Sequence, residues 1–242
     1  MFYIFLKEIR LFFSSLTGYI AILVFLVVNG LFMWVFPGEM NVVDAGYANI
    51  DTLFMLAPWV FLFLVPAITM RTFAEERKAG TLELLLTKPL TEIDLVVGKF
   101  LASVFLVICS LIPTLIFFFS VYKLGNPVGN IDTGGTWGSF IGLFFLASIY
   151  VAIGVFASSL STNQIVSFIV AMLLSFLLYM GFEYIGSLQM FRGLESNIVA
   201  LGINDHYKSV SRGVVDSRDL LYFLSVDSLF LYASKLILQR RN

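Results

Sequence analysis

Residues 100–122 read FLASVFLVICSLIPTLIFFFSVY, an unbroken run in which no side chain carries a charge. A helix rises about 1.5 Å per residue, so roughly 20 apolar residues cross a hydrocarbon core of about 30 Å. The run is long enough to span a bilayer. Its apolar side chains fall on every face, whereas a barrel strand would alternate over about ten residues, so it reads as a helix. Five more runs of this kind flank it, at 18–36, 52–70, 137–160, 165–185 and 220–238. The expected fold is an all-α integral membrane protein of six transmembrane helices, a single domain over residues 1–242.

Composition points the same way. Hydrophobic residues make up 59% of the chain and charged residues 13%, a balance that the surface of a water-soluble domain does not sustain. The one cysteine, Cys109, lies inside the opening run and the one histidine, His206, lies far along the chain. Neither a disulfide nor a Cys/His metal site is expected. A net charge of −1, with Lys and Arg split among the ends of apolar runs, leaves no footprint for nucleic acid.

Lys and Arg are retained on the cytoplasmic side of short connections, which orients the spans. With both termini inside, Lys7, Arg10, Arg71, Arg77, Lys78, Lys88, Lys99, Lys235, Arg240 and Arg241 are cytoplasmic. Lys123, Arg192, Lys208, Arg212 and Arg218 are then outside, ten against five. Trp34 and Trp137 fall at the outer interface, where amphipathic rings prefer to sit. In residues 1–17, Phe2, Phe5, Leu6, Ile9, Phe12 and Phe13 recur at helical spacing while Lys7, Arg10 and Ser14 share the other face. That pattern fits a helix lying on the membrane; the plainer alternative is an early start of the first span. Lys7, Glu8 and Arg10 interrupt the run, and no small-residue cleavage site follows, which speaks against a signal peptide.

The segment 71–99 is the charged stretch on the cytoplasmic side. Gly80 can end a helix leaving the membrane, and Leu82, Leu85 and Leu86 then form one apolar stripe before Pro89. Thr91 with Asp94 has the spacing of a capping box that opens the next helix. A short amphipathic coupling helix between spans two and three suits a soluble partner; an ordinary solvated elbow is the alternative.

Residues 75–99, EERKAGTLELLLTKPLTEIDLVVGK, resemble the signature that follows the second span of ABC-2 type permeases. An interfacial helix, six spans and a long outer connection, here 186–218, are also expected of that family. Residues 205–241, DHYKSVSRGVVDSRDLLYFLSVDSLFLYASKLILQRR, resemble the permease subunit associated with bacterial gliding motility. The resemblance implies an exporter subunit of the bacterial inner membrane, forming half of the path beside a second permease copy or paralogue. It also implies a companion gliding-motility membrane subunit and a separate ABC ATPase that binds ATP and Mg. This chain carries no G-x-x-x-x-G-K-[ST] phosphate loop: Gly98 and Lys99 are followed by Phe100 and lack the upstream glycine. The residues expected to contact the ATPase are Glu75, Glu76, Arg77, Gly80, Thr81, Glu83 and Leu86.

Asp227 falls in the middle of the last span, where an ionised carboxylate costs about 2.5–3.5 kcal/mol on insertion scales. It reads either as a path-lining residue or as a protonated or hydrogen-bonded acid between helices. It departs from the family, whose members usually have an apolar residue here. Asn29 in the first span is a second polar position, able to bond across helices. Glu183 is expected at the outer interface, His206 on the surface without an acid–base partner, and Pro58, Pro66 and Pro113 at kinks. The outer connection mixes Phe191, Leu194, Ile198, Val199, Leu201 and Ile203 with polar residues, as short helices at the outer leaflet would, either a gate or a packed lid. A membrane enzyme acting on lipid would need a nucleophile with its base, paired acids or a metal cluster, and no such motif stands in the sequence. A scaffold without transport predicts no ATPase partner.

Overall fold

The structure, a computed structural model, describes residues 1–82, 91–188 and 193–240. Helix follows helix, with no strand among the described residues. In chain order these are α1 (Phe2–Ser14), α2 (Leu16–Trp34), α3 (Asp51–Thr69), α4 (Ala74–Lys78), α5 (Glu92–Leu111) and α6 (Leu115–Leu124). They continue as α7 (Thr133–Leu160), α8 (Gln164–Phe176), α9 (Phe182–Gly186), α10 (Glu195–Val199), α11 (Ile203–Val210) and α12 (Ser217–Gln239). By length and composition five stretches can cross a membrane: α3 running on into α4, α5 with α6, α7, α8 with α9, and α12. The sixth, α2, meets that test only together with α1, from which an extended Ser15 (φ −105°, ψ 145°) separates it. Six expected spans are thus five plus one bent pair.

Local chemistry sets the boundaries. Thr91 accepts from the Asp94 amide while the Asp94 carboxylate accepts from the Thr91 amide, the reciprocal cap expected at the start of α5. Asp132 accepts from the Gly135 amide at 2.9 Å, so α7 begins at Thr133 rather than at residue 137. Pro113 cannot donate an amide, and α5 gives way there to a 3-10 turn, Ile112–Thr114. A π turn, Leu177–Gly181, joins α8 to α9 with no proline to announce it.

Pro58 stays inside α3 and leaves the Phe54 carbonyl without an intrahelical amide. Tyr207 of α11 donates its hydroxyl to that oxygen at 2.7 Å, in a buried position. Tyr207→Phe should therefore orphan the acceptor and lower stability by about 1–3 kcal/mol. Thermal unfolding in detergent reads this directly, and an unchanged midpoint refutes it.

The central helix is α7, packed against α3, α5, α8, α11 and α12. Leu143, Ile149, Tyr150, Val151 and Ile153 along it are fully buried. The outer helices instead turn Ile165, Ile169 and Leu173 of α8 and Leu221, Leu224 and Leu229 of α12 outward, apolar surface that only lipid or another apolar partner can cover. The bundle has a charged end, carrying α1, α4 and the start of α5, and a far end carrying α10 and α11. α1 also packs against the bundle, through a face other than the phenylalanine set expected to meet the membrane. Ile4 and Glu8 point inward while Phe2 and Leu11 are exposed, because α1 packs on α5 where Gly98 leaves no Cβ to collide with Ile4.

Candidate functional site

α4 is a single turn of helix closed by Gly80, whose φ of +67° is a left-handed conformation that side chains resist. Three other elements hold it. From α7, the Ser158 hydroxyl accepts the amides of Phe73 (2.9 Å) and Ala74 (3.1 Å) and donates to the Met70 carbonyl (3.0 Å). It thereby satisfies amides that the start of α4 would otherwise leave bare. The Arg77 guanidinium donates to the Ser159 carbonyl near the C-terminal end of α7, where the helix dipole favours a cation. From α5, the Lys99 ammonium sits 3.0 Å from Glu76 Oε2 and 2.7 Å from Glu8 Oε1 of α1. It also donates to the Thr72 carbonyl at 2.5 Å.

Lys7 of α1 completes the cluster at 2.8 Å from Glu76 Oε1. Partial burial alone would lower its pKa, but the Glu76 hydrogen bond and negative charge outweigh this and leave it above the ordinary lysine value. Two ammoniums and two carboxylates thus balance, with Lys99 only 1% exposed and stacked 5.2 Å above the Phe73 ring. A displacement of α4 strains its inward contacts to α5 and α7 and, through the more exposed Lys7–Glu76 pair, its contact to α1.

The expected contact residues divide into two sets. Glu75, Gly80 and Thr81 are exposed beside Lys78, a surface open to a partner. Glu76 and Arg77 turn inward and serve as anchors. Glu83 and Leu86, with Leu85 of the leucine stripe, lie outside the described residues, while Leu82 packs against the core. Beside α4 opens a groove of about 1020 Å³. Lys7, Glu8, Arg71, Glu75, Glu76 and Lys99 line its charged end, and its walls continue through Val24, Val28, Leu56, Val60 and Phe63 to Trp59. Polar at one end and apolar along its length, it suits an amphiphile or an apolar helix.

Asp227 and Asn29 do not line that groove. Asp227 is 7% exposed and accepts from the Ser148 hydroxyl of α7 at 2.8 Å. Asn29 is fully buried and bonds back to the Phe25 carbonyl of its own helix at 2.8 Å, not across to a neighbour. Glu183 accepts from Asn204 at 2.6 Å and pairs with Lys208 at 3.0 Å at the far end. His206 corrects the expectation of a lone surface residue: it pairs with Asp219 of α12 at 2.6 Å. Among the described residues no group of His, Cys, Asp and Glu could hold a metal ion.

Sequence reasoning missed Glu8, Lys99 as a buried residue, and Ser158. Glu8 carried a faint signal, since its spacing from Ile4 puts it on a face away from the basic rim. A family profile described as ABC-2 family transporter protein matches residues 38–241, and a comparison with curated proteins gave no match. By this match, which covers most of the sequence, the chain belongs to the ABC-2 family of transporter proteins.

Proposed function

We propose that this chain is the permease subunit of an ATP-driven exporter, and that α4 with the residues after it is where a separate ABC ATPase docks. Family membership makes it a membrane permease of an ABC exporter, a class that normally works with such a partner. The observation that carries the docking site is the anchoring of α4. An exposed face at Glu75, Lys78, Gly80 and Thr81 is backed by contacts through Glu76, Arg77 and Ser158 to α1, α5 and α7. A push from the ATPase on this face would move the foot of two spans and the elbow together. Glu83 and Leu86 complete the docking surface in this reading.

The same proposal places ATP and Mg in the partner, and both termini in the cytoplasm at the bacterial inner membrane. A second permease copy or paralogue completes the path along the groove, and gliding motility is the cellular role, with its companion membrane subunit. Asp227 and Asn29 lie away from the groove, bonded to Ser148 and to the Phe25 carbonyl, so a path along the groove does not use them; Asp227→Leu should then leave transport unchanged. The lipid-enzyme reading gains no support from His206, because both its ring nitrogens are engaged, by Asp219 and by the Ala200 carbonyl.

Copurification tests the docking. Glu75→Lys reverses an exposed charge without touching the anchors, so the chain should insert and fold normally while ATPase binding weakens roughly tenfold. Unchanged binding and stimulation of the ATPase by this variant would remove the exposed face from the contact.

A further inference from the structure

Two acceptors face the chain's one histidine. His206 Nδ1 lies 2.6 Å from Asp219 Oδ1, and Nε2 lies 2.9 Å from the Ala200 carbonyl oxygen. An ionised carboxylate and a carbonyl only accept, so both contacts are hydrogen bonds together when both nitrogens carry hydrogen, as in imidazolium. The ring is held in that pose. Tyr222 stacks on it at 3.8 Å and 21°, and donates its own hydroxyl to the Leu201 carbonyl at 2.7 Å. Asp219 is 6% exposed, and its Oδ2 has no hydrogen-bond partner among the described residues. Imidazolium is therefore the charge that compensates a buried carboxylate. Removing one proton leaves a neutral ring whose Nδ1–H can still donate to Asp219, but it sets the Nε2 lone pair against the Ala200 carbonyl and takes the compensating charge from a buried carboxylate.

What the pair holds is α11. Ile203, Tyr207 and Val210 of that helix are buried, and Tyr207 bonds to α3. On α9, Glu183 holds Asn204 and Lys208. The π turn adds Tyr179 and α7 adds Tyr150, while α11 has its own Asp205; of all these titratable groups only Asp219 and Tyr222 touch the ring.

We infer that the His206–Asp219 pair is a proton-set latch: with the ring charged, α11 is clamped across the far ends of α3, α7 and α12, and loss of the proton turns an ion pair into a single neutral-donor hydrogen bond and weakens the clamp. Alkaline medium on that side of the membrane would loosen this end and acid would lock it. The latch needs neither nucleotide nor ATPase, so its failure and that of the export reading are separate results.

Because His206 is the only histidine, ¹⁵N-histidine labelling of the full chain in lipid nanodiscs reports this ring alone. Spectra recorded from about pH 5 to about pH 9 follow the change from imidazolium to a neutral tautomer. As that change occurs, amides 203–210 should lose roughly tenfold or more of their hydrogen-exchange protection relative to α7 amides at the same pH. His206→Gln should show the low protection at every pH, and Asp219→Asn serves if that variant does not fold. Full protection of amides 203–210 in a folded His206→Gln chain overturns the inference. So does protection that stays constant while the ring loses its proton.

Discussion

Lys99→Met should destabilise the folded chain by about 3–5 kcal/mol, the range for breaking a buried ion pair from one side. The substitution keeps the side-chain length and the packing against Phe73, and removes only the charge. Glu8 then loses its ion pair at 2.7 Å, and Glu76 keeps only the partly exposed Lys7 of its two ammonium partners. The Thr72 carbonyl loses its donor at the same time. Adding Glu8→Gln to Lys99→Met should recover about 1.5 kcal/mol or more, because the cycle isolates the interaction between the two. Lys7→Met is the comparison. With its side chain 36% exposed, Lys7 makes the solvent-screened contact of the cluster, and its loss should cost no more than about 1 kcal/mol. Denaturant or thermal unfolding in one detergent, with Glu8→Gln alone closing the cycle, gives the four variants' values. A Lys99→Met chain within about 0.5 kcal/mol of the wild type, or a double variant no better than the single, would show that the cluster holds nothing together.

Features decided within one helical turn were legible before the structure. Apolar runs about one bilayer long pointed to the bundle, while Thr91 with Asp94 gave the start of α5, Gly80 the end of α4 and Pro113 the break after α5, each of these three from residues at most four apart. The buried cluster was not legible, because its members are far apart in the chain: 91 residues separate Glu8 from Lys99 and 69 separate Lys7 from Glu76. Lys99 was expected among the solvated charges of the coupling segment. Only the crossing of α1 over α5 at Gly98 carries it inside. Ser158 closes α4 from 84 and 85 residues away, and a serine near the end of an apolar helix looks the same whether or not it caps anything. The π turn at Leu177–Gly181 has no residue signature. His206 and Asp219 stand 13 apart, a separation that no catalytic or metal-binding motif prescribes, so their pairing waits on how α11 folds back over α12.

Gly154→Ala should cost about 3 kcal/mol, the upper end for forcing one carbon into a packed core. A Cβ at residue 154 would lie 2.0 Å from Thr69 Oγ1 and 2.7 Å from Thr69 Cβ, so α3 and α7 would have to separate. Thr69 cannot swing clear without loss, because it is fully buried and its hydroxyl donates to the Val65 carbonyl at 2.9 Å. The opposing effect is small: alanine is a better helix former than glycine by about 1 kcal/mol, too little to offset the clash. Gly30→Ala makes the contrast, since its Cβ would find only Phe117 Cζ at 3.8 Å and should leave stability unchanged or raised. Removing the obstacle with Thr69→Gly should turn the penalty at 154 into a coupling of about 1.5 kcal/mol or more in the double variant. The consequence reaches the docking segment as well. Ser158 stands one turn beyond Gly154 on α7, and Thr69 is the last residue of α3 before the chain turns toward α4. A wedge at this crossing therefore lifts α4 from the helix that caps it, and stimulation of the ATPase should fall in any Gly154→Ala chain that still folds. If the variant melts as the wild type does, α3 and α7 do not cross here, and the anchoring of α4 through Ser158 fails with that crossing.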